Sequence, residues 1–299
     1  MKIKHTQLLL LTLLMLISSA SLAQAQIFVS SSNGKIGEYA TSGATINASL
    51  ISGLTNPEGI VISGTNMFVV NSGANGYVGE YTTAGAVVNT NLFSLSQPSA
   101  IALSGSNLFV ASANGYIAEY TTLGAVVNTN LISISGGSLG LTISGGNLFV
   151  ASMGNGTIGE YTTDGFARNP SLISGLNNPY GIAISGTNFF VSNIGNGTIG
   201  KYSFDGTTIT ALNTNLITNA WGAYGLAISG TNLFAVNNTA QSIAEYNFDG
   251  SVVSTNLVSG FGHPFGLAIV AAVPEPSSCA FMALGLVVIA IALRRTRPA

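Results

Sequence analysis

The stretch GLTISGGNLFVASMGNGTIGEYTTDGFARNPSLIS, residues 140–174, is one copy of a pattern that recurs six times between Ile27 and Val270. Successive copies lie about forty-one residues apart, and the clearest column is a tyrosine: Tyr39, Tyr81, Tyr120, Tyr161, Tyr202 and Tyr246, at spacings of 42, 39, 41, 41 and 44. Each follows a charged residue, Glu38, Glu80, Glu119, Glu160, Lys201 or Glu245. A period in the forties that carries several short strands predicts propeller blades rather than helical solenoid units.

Within a copy, apolar and polar residues alternate over short runs bounded by Gly, Asn and Ser, which predicts four strands and no helix. In residues 140–174 strand a is expected over Gly140–Ser144, strand b over Asn147–Ser152, strand c over Thr157–Thr162 and strand d over Phe166–Ser174. The a–b links read SGTN or SGGN and the c–d links TTDG or TTAG, each with a glycine for the positive φ of a hairpin turn. The phase of the repeat then dictates closure. Strand a occurs six times, last at Phe265–Val270, whereas the b, c, d set begins at Ile27 before any strand a. The two ends must share a blade, with Phe265–Val270 beside Ile27–Ser31, and closure removes the open edges of an array. The expectation is all-β: a monomeric six-bladed β-propeller over residues 26–270.

The run Pro179-Tyr180-Gly181-Ile182-Ala183-Ile184, then Asn188 to Ser192, then Gly197 to Tyr202, resembles the NHL-repeat type of propeller blade through strands a, b and c. The likeness spans residues 27–270. NHL-type blades carry an Asp after the second strand, where this chain has Ser or Asn. The resemblance therefore implies the fold and carries no function with it.

Both ends of the chain read as addresses. Lys2 and Lys4 precede the apolar run Leu8 to Ile17, and Ala23-Gln24-Ala25 offers a small-x-small cleavage site, so residues 1–25 read as a Sec signal peptide, helical in its apolar part. No Cys stands there to make a lipoprotein. In residues 271–299, Pro274-Glu275-Pro276 is followed by the weakly polar to apolar stretch Ser277–Leu293 and then by Arg294, Arg295 and Arg297. Those 17 residues reach the short limit for a transmembrane helix, and the arginines behind them would stay cytoplasmic. Prolines on both sides of Glu275 keep the tripeptide extended and open to a processing enzyme. Together the three features resemble the PEP-CTERM sorting signal, which implies recognition by an exosortase in a Gram-negative envelope. The alternative is an ordinary tail anchor.

Composition narrows the partners. Only 6% of residues are charged, against roughly 25% in ordinary soluble domains. Residues 27–270 hold three bases, Lys35, Arg168 and Lys201, against nine acids, so there is no basic face for nucleic acid. Cys279 is the sole cysteine and lies in the apolar tail, so disulfides contribute nothing to the blades.

In a meander the a–b and c–d turns share one face and the b–c and d–a loops the other. The first face is monotonous, whereas the d–a loops of the second diverge, and loops on a rigid scaffold are the usual place for binding residues. Just before strand a the six copies place Glu58, Ser99, Leu139, Tyr180, Tyr224 and Phe265 at the expected channel mouth, with Trp221 and His263 in the same loops. Flat rings with polar edges suit sugar faces, so Tyr180, Trp221, Tyr224, Phe265 and Glu58 are candidate ligand contacts. The same rings equally suit a channel plug.

The recurrent strand c glutamates read as structural, because a catalytic group is needed once. Asp164, Asp205 and Asp249 read as turn residues, and no cofactor or metal set emerges. Only Glu58 and His263 remain for acid–base work. Two readings follow. One is a noncatalytic cell-surface or matrix propeller that binds exopolysaccharide or an envelope protein. The other is a propeller lyase or hydrolase that uses Glu58 and His263 on a small polar substrate.

Overall fold

The computed structural model describes residues 24–137 and 140–271. The signal peptide, Leu139 and the sorting tail with its membrane segment 277–293 lie outside the described residues. Among the described residues every regular element is a strand.

Strand b explains why the sheets stand on edge. In Asn147–Ser152, Leu148 and Val150 are buried against Phe109 and Ile117 of the preceding blade, while Phe149 and Ala151 are buried against Phe189 and Val191 of the next. Both faces of the strand are dry, so it reads as a continuous apolar run and not as the alternation expected from the sequence. The outermost strand does the opposite. Strand d is exposed over most of its length in every blade, as in Val87–Ser94 and Val126–Ser133.

Six four-stranded sheets result, each a meander in which neighbouring strands pair. The expected closure is present: one sheet runs Pro264–Val270, Gln26–Ser31, Lys35–Ala40, Thr45–Ile51, uniting the two ends of the repeat region. The inner strands Pro57–Ser63, Pro98–Ser104, Gly140–Ser144, Pro179–Ser185, Leu226–Ser229 and Pro264–Val270 touch in that order and return to the first. Residues 27–270 form one compact unit.

The glutamate column has a bond to explain it. In strand c the Glu side chain accepts from the Asn that opens strand b of its own blade: Asn66 to Glu80 at 2.8 Å, Asn107 to Glu119 at 2.7 Å and Asn147 to Glu160 at 2.6 Å, with Asn232 to Glu245 alike. Each of these pairs ties the a–b turn to the c–d end of the blade. Where Lys201 replaces the acid, its Nζ instead donates to the carbonyl of Phe248 in the next blade at 2.8 Å and sits 5.7 Å from the Phe190 ring centroid.

Deleting Phe265–Val270 strips strand Gln26–Ser31 of its inner neighbour and breaks the ring. Thermal unfolding and size-exclusion chromatography of that deletion should show a lower, broader transition and self-association. A melt matching the intact domain would contradict closure by the shared blade.

Candidate functional site at the channel mouth

Four d–a loops enter strand a through the same backbone device. Asn56, Gln97, Asn178 and His263 each adopt a left-handed φ of 48–56° immediately before a proline. Their carbonyls accept from the backbone N–H just after strand b: Ser72 to Asn56 at 3.1 Å, Ala113 to Gln97 at 2.9 Å, Ile194 to Asn178 at 3.1 Å and Ser32 to His263 at 3.1 Å. Asn and His tolerate this conformation better than most residues. His263 therefore fills a turn position that three other blades give to amides.

After the proline the pairing of strands a and b slips, between Pro57 and Ile60, Pro98 and Ala100, and Pro179 and Ile182. A bulge of this kind re-aims the side chain that follows. Glu58, Ser99 and Tyr180, so re-aimed, line one axial cavity of about 100 Å³ together with Tyr224 and Phe265, floored by inner-strand residues such as Gly140, Ile182 and Leu226.

Glu58 and Tyr180 belong to inner strands three places apart in a ring of six, hence on opposite sides of the channel. The Tyr180 hydroxyl donates to the Glu58 carboxylate across the axis, and the carboxylate also accepts from Ser72 and, at 3.3 Å, from Asn56 Nδ2. Burial pushes the Glu58 carboxyl up to about 7, against the pull of those three donors in the other direction. Burial, and then the negative charge of Glu58, holds the Tyr180 phenol well above its ordinary value, so it stays protonated and keeps donating. Its ring meets Tyr224 edge-on, with centroids 4.9 Å apart and planes at 87°, and Tyr224 meets Phe265 at 5.0 Å and 49°. The three aromatics form one contiguous arc, worth about 0.5–1.5 kcal/mol per contact beyond area burial.

Trp221 is placed differently. Its ring covers Gly197 in the b–c loop of the preceding blade, it is 48% exposed, and it does not line the cavity. His263 also stands off the cavity, exposed, with Nδ1 3.4 Å from Asn238 Oδ1. Glu58 and His263 thus have separate surroundings, one in the channel and one on the rim. Ser72 and Asn56, which hold Glu58, carry no sequence signal beyond their place in variable loops. Among the described residues no three His, Cys, Asp or Glu side chains gather as a metal set.

Residues 272–297 match the family model of the PEP-CTERM protein-sorting motif. The chain carries a PEP-CTERM tail. The motif implies export in a Gram-negative bacterium, a C-terminal membrane anchor and recognition by an exosortase. No curated protein matches the PEP-CTERM chain by sequence. Solved structures do match its propeller. A chain of a nidogen/laminin complex superimposes with a TM-score of 0.70 at 14% identity, over 83% of this chain and 98% of that one. A gluconolactonase from Xanthomonas campestris gives 0.60 at 13%, over 71% and 79%, and a virginiamycin B lyase from Staphylococcus aureus 0.50 at 20%, over 69% and 71%. At these identities the likeness shows the fold alone.

The Glu58 carboxyl predicts a pH signature. Its folded-state value of about 7 exceeds the ordinary 4.5, so the native chain holds the proton more tightly than the unfolded one. Its stabilising contribution is complete below about 4.5 and is lost as pH rises through about 7. The loss is at most about 3.5 kcal/mol. Thermal melts at pH 5 and pH 8 should differ more for the wild type than for Glu58→Gln. An equal difference in both proteins would remove the buried-carboxyl account.

Proposed function

We propose that the chain is an exported, noncatalytic binding propeller that its PEP-CTERM tail delivers to the cell surface or matrix, with exopolysaccharide or an envelope protein as ligand. In this reading residues 1–25 are a signal peptide, 26–270 the binding domain and 271–299 the sorting tail, in which Ser277–Leu293 spans the membrane. The observation that carries it is the state of the channel mouth: its one carboxylate is already engaged by three side-chain donors and neighbours an aromatic arc. Such a site offers apolar faces and polar edges, and no free acid–base pair.

Size decides how a saccharide would bind. Pockets that enclose ligands measure about 300–1,000 Å³, well above the roughly 100 Å³ here. A sugar ring would therefore lie across the mouth, on the edges of Tyr180, Tyr224 and Phe265, with Trp221 at the rim and Glu58 beneath. A protein ligand would use the same arc, and the nidogen/laminin chain shows that this architecture occurs in a protein complex. One observation favours a lyase or hydrolase instead: a carboxyl near 7 suits a general base. Glu58→Ala and His263→Ala separate the readings, since binding on aromatics survives them and turnover does not.

Titration of exopolysaccharide fragments into residues 27–270 should give an affinity that holds between about 0.1 M and about 1 M NaCl, because stacking is not screened as charge steering is. Tyr180→Ala with Tyr224→Ala should weaken it about tenfold. Undiminished binding by the folded double mutant removes the aromatic platform, and loss of its fold favours a plug.

Processing has its own readout. Mass spectrometry of surface material should find chains ending near Pro274-Glu275-Pro276, and replacing Arg294, Arg295 and Arg297 should weaken membrane retention of the precursor. Surface chains that end intact at Ala299 would refute processing.

A further inference from the structure

Exposed apolar side chains are distributed unequally between the two ends of the propeller. Among the described residues, every large hydrophobic with high exposure apart from Trp221 lies in a c–d turn or in the first half of a strand d, including Val87, Val88, Val126 and Val127. The two most exposed are Leu123 at 89% and Phe166 at 74%, in the c–d turns of adjacent blades. The a–b and c–d turns are joined at this end by backbone bonds, Thr83 to Thr65 and Thr122 to Ser106, both at 2.8 Å, so they form one continuous face. Ile46, Val87, Leu212 and Val252 extend an apolar collar to the other blades around the two protruding tips.

The chain itself leaves the propeller on that face. Every strand a runs from the channel mouth towards an a–b turn, so the last one, Pro264–Val270, ends where the a–b turns lie. It is an inner strand, so this exit lies close to the channel axis. Six residues, 271–276, separate Val270 from the apolar stretch that begins at Ser277, and fully extended they reach roughly 20 Å. If Ser277–Leu293 is held in a membrane, that lead limits how far the face carrying Leu123 and Phe166 can stand from it.

We propose that the a–b and c–d turn face lies against the lipid surface in which the tail is anchored, with Leu123 and Phe166 entering the headgroup region and the channel mouth turned away. This rests on the membrane-anchor reading of the tail. Leu and Phe favour the boundary between headgroups and acyl chains. The c–d turns carry Asp164, Asp205 and Asp249, with Arg168 and Lys201 beside them, so the face keeps a small excess of negative charge and suits zwitterionic over anionic lipid.

Trp221 supplies a reporter at the opposite end. The full-length chain is reconstituted in phosphatidylcholine vesicles with brominated acyl chains, and flotation first establishes anchoring. Emission from Trp221 in the wild type should be unaffected by bromine, whereas Phe166→Trp or Leu123→Trp, each in a Trp221→Phe background, should lose emission. Phosphatidylglycerol should reduce that loss by repelling the acids. Quenching of Trp221 with the turn positions unaffected, quenching of neither in vesicles that float, or stronger contact with phosphatidylglycerol would each overturn the proposal. A chain that does not float overturns the anchor reading and the orientation together.

Discussion

The close approach of the six inner strands is the constraint on which the rest of this propeller depends. Glycine makes it in five of the six, with Ala100 in the remaining strand. A Cβ at Gly181 would stand 2.7 Å from the Tyr224 carbonyl oxygen, and one at Gly225 2.7 Å from that of Phe265. Gly140 is pressed against the Tyr180 carbonyl and Gly266 against that of Glu58, while Gly59 lies against Ser99 and Ala100. In each case the missing side chain admits the backbone of the next blade. The contact from Gly266 to Glu58 joins the last strand a to the first, so closure by the shared blade and closure of the channel are one event. Ser30 strengthens this junction, accepting from the Gly266 N–H at 2.8 Å and donating to the Glu58 carbonyl.

A second set of restraints works further out, and its exception is as informative as its rule. Four blades tether a strand c Glu to a strand b Asn, which fixes the outer half of the sheet to the inner half. Burial raises the Glu160 carboxyl even so, which means the tether holds a group that would otherwise prefer water. Lys201 cannot accept from Asn188, and the amide turns to the Ser185 carbonyl at 3.4 Å. The ammonium reaches across to the next blade instead, exchanging an intrablade tether for an interblade one. A column of like residues is thus read most securely where it breaks.

The blade count, the strand order and the shared blade were legible because they follow from period and phase, which survive any detail of side-chain packing. The Gly column ahead of Ile182, Leu226 and Leu267 was visible too, yet its meaning was not, since a glycine read from sequence does not disclose which carbonyl lies beside it. The site was half legible. Position before strand a brought Glu58, Tyr180, Tyr224 and Phe265 together at one cavity. It also suggested Trp221 and His263, whose loops are shared but whose side chains are directed elsewhere: a longer loop lays the indole over Gly197, and the left-handed turn before Pro264 holds His263 on the rim. Partners three blades apart, such as Glu58 and Tyr180, leave no trace in linear spacing.

That cross-channel pair separates what the repeat imposes from what it leaves free. Four blades share the turn before proline at the mouth, three of them the slipped register, and five of the six inner strands the glycine, so the backbone recurs while the side chain that projects there varies. Glu58, Ser99, Tyr180, Tyr224 and Phe265 nevertheless differ, and they differ in a complementary way, an acid facing a phenol and aromatics in series. At the other end the turns share their backbone form, and the last strand a ends among them.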